Sequence, residues 1–178
     1  WLTRAMEGPT TSSAIFYGSL SVHIGVFLLM RTYPYWESIF SIKLLIIIVG
    51  LVTSIVATCI ASVQSSVKTQ IAYGSIAQIG IMFIELAMGW HTLVLIHFAG
   101  NAFLRTYQLL VSPSVLGYLI HDQFFNFIPP QHNINNNFWG KIKLSIYILS
   151  VKEWNLDTLM YNVLWQPLKK IGNIFAGI

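Results

Sequence analysis

Twenty-four consecutive residues, Leu44 through Val67, carry no Asp, Glu, Lys or Arg. A helix of that length crosses a hydrocarbon layer of roughly 30 Å with some tilt to spare. A soluble fold would have to bury the whole run, and this chain lacks the polar residues to do so. Only 9% of its 178 residues are charged and 55% are hydrophobic, against about 25% charged in an ordinary soluble domain. In lipid, every backbone N–H and C=O must then be paired inside the segment, which leaves the helix. The expected fold class is an all-α polytopic transmembrane helix bundle of about four spans, followed by amphipathic surface helices. A cytosolic globular domain, a disordered chain and a coiled coil are excluded.

The other spans follow from the same pattern. Gly8 through Met30 is also free of charge, and places a first span at about Pro9 to Met30, with Pro9 in a first helical turn where its missing N–H costs nothing. Arg31, Tyr33, Tyr35 and Trp36 close it with the residues of a headgroup layer. Thr53, Ser54, Thr58 and Ser62 in the second span are small polar residues that suit close helix packing. A polar break at Gln64–Gln70 precedes a third span, about Ile71 to Met88. Gly89-Trp90 turns the chain into a fourth, about His91 to Val111.

Past Ser112-Pro113-Ser114 the character changes. Val115–Ile128 reads as a short amphipathic piece, and the Pro- and Asn-rich stretch from Pro129 to Asn137 as a loop. Apolar residues at helical spacing from Phe138 to Leu164, mixed with Lys141, Lys143, Lys152, Glu153 and Asp157, predict a pair of surface helices ended at Trp165-Gln166-Pro167. The expected organisation is a transporter-like membrane part over 1–112, an amphipathic segment and loop over 113–138, and a helical tail over 139–178. Beginning at Trp1 without a signal-peptide pattern, the chain reads as the later part of a longer protein.

Polar groups inside the spans are the candidates for function, because they are costly in lipid. On the fourth span His97, Asn101 and Arg105 fall at i, i+4 and i+8 and so share one face. The column joins a titratable imidazole, an amide and a fixed cation, and a histidine passes protons near neutral pH. Glu85 near the end of the third span is either a solvated helix-end carboxylate or part of the same path. Gly74, Gly80 and Gly100 would permit helix breaks whose free backbone groups face water. His23 stands alone in the first span and is expected to be an ordinary core residue. Enzyme chemistry finds little support: no phosphate loop, nucleophile elbow or metal-ligand cluster stands in the sequence, so no catalytic residue, cofactor or metal of its own is expected. The single Cys59 excludes a disulfide framework or a cysteine-based metal site. The net charge of +4 is scattered at span ends, with no basic stripe for nucleic acid. Cations flank successive spans on both sides, so they fix no membrane orientation. These residues alone describe a bundle with a polar track, as in a transporter or an ion-conducting subunit.

Three blocks carry a resemblance. Trp1-Leu2-Thr3-Arg4-Ala5-Met6-Glu7-Gly8-Pro9-Thr10, with Ser13-Ala14, Gly25-Val26 and Arg31 at matching offsets, resembles a motif of the antiporter-like membrane subunits of respiratory complex I and of multi-subunit sodium/proton antiporters. Gln64 to Lys68 followed by Ala72–Gly80 resembles a second motif of the same family, and His97 to Arg105 a third. Only His97 and Lys68 keep the family's titratable identities. Tyr17 and Asn101 stand at its histidines, Ser66 at its acidic residue and Arg105 at its lysine. An arginine holds its proton, so Arg105 can gate or polarise a path but cannot relay along it.

The stretches Arg105–Leu110, Ser112–Ser114, Ser145–Ser150, Trp154–Asp157 and Trp165–Leu168 are similar to a divergent branch. That branch forms the membrane subunit of an inorganic-carbon accumulation complex, partnered by a large cytoplasmic zinc protein. The resemblance implies a multi-pass, proton- or cation-translocating subunit of a multi-subunit complex in the cell inner (plasma) membrane, coupled to inorganic carbon uptake. Its alternatives are an antiporter-like subunit of NADH-quinone oxidoreductase or of a sodium/proton antiporter, and a non-conducting scaffold. The implied path passes His97, Asn101, Arg105, Glu85 and Lys68, with Gly8, Pro9, Gly74, Gly80 and Gly100 as break or packing positions. The expected partners are the lipid bilayer and other subunits of the complex, and no nucleic acid.

Overall fold

A computed structural model describes residues 2–6, 8–125 and 138–175. Every regular element among them is helical: α1 (Leu2–Ala5), α2 (Thr10–Ser12), a π-helix (Ser13–Leu20), α3 (Ile24–Trp36), α4 (Phe40–Ala61), α5 (Val67–Ala87), α6 (His91–Phe125), α7 (Phe138–Val151), a 3-10 turn (Glu153–Asn155), α8 (Leu156–Met160), a second π-helix (Tyr161–Trp165) and α9 (Gln166–Phe175). The all-α membrane bundle is what the charge-free runs dictate. Thr10–Trp36, Phe40–Ala61 and Val67–Ala87 are each long and apolar enough to cross a membrane. The expected fourth span lies in α6, which is longer than any of these at 35 residues; His97, Asn101, Arg105 and Gln108 within it lower its hydropathy.

The chain forms two compact units, Trp1–Ile134 and Asn135–Ile178. In the first, α5 is the central helix. Half of its span is buried, against 22% of the α4 span. Three clusters pack onto it: Val26, Trp36 and Ile46 around Met82 and Leu86; Leu2, Met6, Ala14 and Leu109 around Ile71 and Ala72; and Ala57 and Ile60 against Tyr73 and Ala77. Trp36 is therefore a core residue, while Tyr35 is the ring left exposed. The outer face of α4 is apolar and exposed at Leu45, Ile48, Val52 and Ile55, as lipid requires.

α4 and α5 cross at Gly50 and Gly80. A Cβ added to either glycine would stand 2.5 Å from the other's carbonyl oxygen, so the backbones meet directly. At the end of α5, Gly89 takes a φ of +85°, which lets its N–H reach Leu86 O and the Trp90 N–H reach Glu85 O. This is a glycine-terminated helix end, and it makes the short turn expected at Gly89-Trp90.

Two expectations about the first unit are corrected. The expected helix breaks at Gly74, Gly80 and Gly100 are absent, because α5 and α6 run unbroken through all three. The interrupted span is the first, where the π-helix and a turn at Ser21–His23 separate Thr10 from α3. The change of character expected at Ser112–Ser114 falls inside α6, which continues past Pro113. Proline removes the N–H that would bond Leu109 O, and Ser112 Oγ donates to that carbonyl instead at 2.8 Å. The loop expected at 129–137 lies outside the described residues.

In the second unit, the helix pair is joined where Glu153, Trp154 and Asn155 all adopt positive φ near 50°. The end expected at Trp165-Gln166-Pro167 is not a break: the second π-helix runs directly into α9, whose first turn accommodates Pro167.

Candidate functional site: a divided polar track

The column on α6 splits into two networks. Arg105 Nε donates to Asn101 Oδ1 at 3.2 Å and Arg105 Nη1 to Gln108 Oε1 at 2.7 Å. Asn101 Nδ2 donates to His23 Nε2 at 3.0 Å, and His23 Nδ1 donates to Ser19 O at 2.9 Å. The ends of this chain set its direction. Arginine can only donate and a carbonyl can only accept. Asn101 must therefore turn its oxygen to Arg105 and its NH2 to His23. His23 must in turn be neutral, with its proton on Nδ1 and a lone pair on Nε2 facing Asn101. His23 is fully buried and Asn101 nearly so, which makes an unmet bond here expensive.

His97 turns the other way, onto α5. Its Nδ1 donates to Glu85 Oε1 at 2.9 Å, and its Nε2 meets Gln78 Oε1 at 2.8 Å. With the Gln78 oxygen turned to it, Nε2 would have to donate as Nδ1 does. A half-turn of the Gln78 amide would present its NH2 to Nε2 and suit the neutral ring equally well. The site thus accommodates His97 with or without the second proton. Glu85 Oε2 is buried without a hydrogen-bond partner among the described residues, leaving a lone pair that can hold a proton.

His97, Asn101 and Arg105 line a cleft of about 460 Å³ together with Gln78, Gly100 and Leu104. A second cleft, of about 510 Å³, is lined by Gln70, Gly74, Gln108 and Ser112 among others, and again by Arg105. Arg105 is the one residue common to both linings. Gly74 seats it: a Cβ there would lie 3.2 Å from both terminal nitrogens of the guanidinium. Gly80 belongs to the α4 crossing, and Gly100 has open space above it.

Lys68 lies apart from both clefts. Its Nζ donates to Gly8 O at 3.1 Å and ties the start of α5 to the turn before α2, where Pro9 precedes the first helical residue. The spacing of His97, Asn101 and Arg105 located the α6 face. It missed His23, which lies 78 positions from its partner, and it gave no role to Gln78 or Gln108. The signal for His23 was its place in a charge-free span, where a titratable group is a functional candidate on its own.

Residues 1–126 match the family described as the NADH:quinone oxidoreductase/Mrp antiporter transmembrane family. The chain belongs to this family. It is 35% identical over 123 residues to NADH-quinone oxidoreductase subunit L of Rhodobacter capsulatus, covering 69% of this chain and 17% of that protein. It is 32% identical over 141 residues to NADH-ubiquinone oxidoreductase chain 5 of Podospora anserina, covering 75% and 22%. The chloroplastic NAD(P)H-quinone oxidoreductase subunit 5 of Lotus japonicus is 34% identical over 116 residues, covering 65% and 16%. The chain thus spans about a fifth of the length of the curated relatives it matches. As an antiporter-family membrane chain, it places its divided polar track inside the region that carries the family match.

Proposed function

We propose that this antiporter-family chain is part of a proton- or cation-conducting membrane subunit, acting with other subunits of a complex in the bacterial inner membrane. One observation carries the proposal: the His97 pair with Glu85 and Gln78, on the cleft that ends at Arg105. A proton entering the cleft is taken at His97 Nε2 as the Gln78 amide turns, and the Glu85 carboxylate balances the charge. Asn101 and Arg105 set the field at the far end of the cleft, where a fixed cation opposes a second one.

Two readings of the complex have separate support. The printed names of the relatives support an antiporter-like subunit of a quinone oxidoreductase. The likeness of Arg105–Leu110, Ser145–Ser150 and Trp165–Leu168 to the carbon-accumulation branch supports coupling to inorganic carbon uptake by a large cytoplasmic zinc protein. Purification of the full-length subunit with its native partners separates them: quinone-reductase subunits support the first and a zinc protein the second.

Conduction is tested by proton flux into proteoliposomes carrying the full-length protein. His97→Leu abolishes coupled flux and Arg105→Lys retains part of it. Unchanged flux with His97→Leu sinks the proposal. The scaffold alternative predicts instead that these changes weaken partner docking and leave flux untouched.

A further inference from the structure

His23 is a buried titratable side chain that the path through His97 does not use. We propose that His23 is a further proton-accepting residue, whose protonation turns the Asn101 amide and frees Arg105 from between the two clefts. The inference rests on the conducting reading above.

The bond directions carry it. In the observed chain His23 Nε2 is an acceptor facing the Asn101 NH2. His23 is fully buried and lines neither cleft, whereas Asn101 lines the first; a proton from hydronium there reaches Nε2 when the Asn101 amide swings aside, forming an N–H bond and leaving water behind. Nε2 then becomes a donor opposed to a donor. Asn101 removes the conflict by a half-turn that brings Oδ1 to His23, and this presents its NH2 to Arg105 Nε, again donor to donor. Arg105 must leave Asn101, and Gln108 Oε1 is the partner that remains to it. Because Arg105 walls both clefts, its withdrawal toward Gln108 joins them.

The Phe98 ring lies 4.8 Å from the His23 ring, centroid to centroid, tilted by 60°. The titratable and charged groups around His23 are His97 and Arg105 on α6, with Glu85 of α5 bonded to His97. A protonated His23 repels the Arg105 guanidinium, which acts in the same direction as the lost hydrogen bond. His23 also sits where the first span is broken, just beyond the π-helix, so its backbone is not held by a continuous helix.

The test is proton flux through the full-length protein in its complex, reconstituted in proteoliposomes and followed over about pH 5 to 8, where a histidine titrates. His23→Gln and His23→Asn, which cannot gain a proton, should each lower flux about a hundredfold, a loss typical of a missing proton-transfer group. They should also erase the inflection in its pH profile. Arg105→Gln, which has no cation left to release, should make the remaining flux insensitive to His23→Gln. The inference is overturned if His23→Gln keeps the wild-type profile, or if His23→Gln slows the Arg105→Gln protein as much as it slows the wild type. If His97→Leu is inactive while His23→Gln is unchanged, this inference fails and the conducting reading stands. A wild-type protein that passes no protons sinks both.

Discussion

Asn101 of α6 donates to His23 of the first span at 3.0 Å, and the direction of that bond is imposed by Arg105 on one side and the Ser19 carbonyl on the other. One amide thus fixes the tautomer of a buried histidine and the position of the cation between two clefts.

Replacing Asn101 with Leu removes both bonds at once. The fully buried His23 Nε2 is left without a partner, at about 1–3 kcal/mol, while the half-buried Arg105 Nε can turn to the cleft. Thermal unfolding of the purified protein in detergent should show a clear loss of stability. The double variant His23→Leu/Asn101→Leu should lose less than the two single losses combined, because His23 no longer presents an unmet acceptor. Strict additivity would contradict the bond.

Gly80→Ala forces a methyl group to within 2.5 Å of the Gly50 carbonyl and 2.8 Å of Ser54 N. Neither backbone atom can give way alone, so the helices must separate, at a cost of about 1–3 kcal/mol. Gly100→Ala meets nothing within 4 Å and should be neutral or gain up to about 1 kcal/mol from helix propensity. Unfolding midpoints of the two variants should move in opposite directions or differ strongly in size.

Ser112→Ala strips Leu109 O of the hydroxyl that stands in for the N–H missing at Pro113. The expected loss is about 1 kcal/mol. In a Pro113→Ala background the same substitution should cost almost nothing, because the restored N–H reaches Leu109 O. Equal costs in both backgrounds would show that the hydroxyl does not serve this carbonyl.

Glu85→Gln removes the countercharge of His97 while preserving its shape. Proton flux in proteoliposomes should fall by about a hundredfold, as for loss of a positioned proton-transfer partner, and Glu85→Asp should recover part of it. Gln78→Leu should slow flux as well, since His97 Nε2 then has no partner that can serve both of its protonation states. Full flux in Glu85→Gln would remove the pair from the path.

Much of this was legible in the residues themselves. Leu44–Val67 could only become a buried or lipid-facing helix over most of its length, and α4 takes the run as far as Ala61. The i, i+4, i+8 spacing placed His97, Asn101 and Arg105 on one face. The same spacing could not show that the face is shared between two neighbours. Nor could it distinguish glycines that break helices from glycines that let helices touch; Gly74 and Gly80 do the latter because Arg105 and Gly50 lie over them.

By itself, then, the sequence determined a helical membrane chain and the set of polar groups it could not afford to leave in lipid. Local hydropathy and helical periodicity suffice for that, since both act between near neighbours along the chain. Only the tertiary structure decided which groups pair. Glu85 and Gln78 reach His97, and His23 reaches Asn101, through contacts between helices. Hydrogen-bond direction is then set by the ends of each network, and those ends come from different helices brought together by packing.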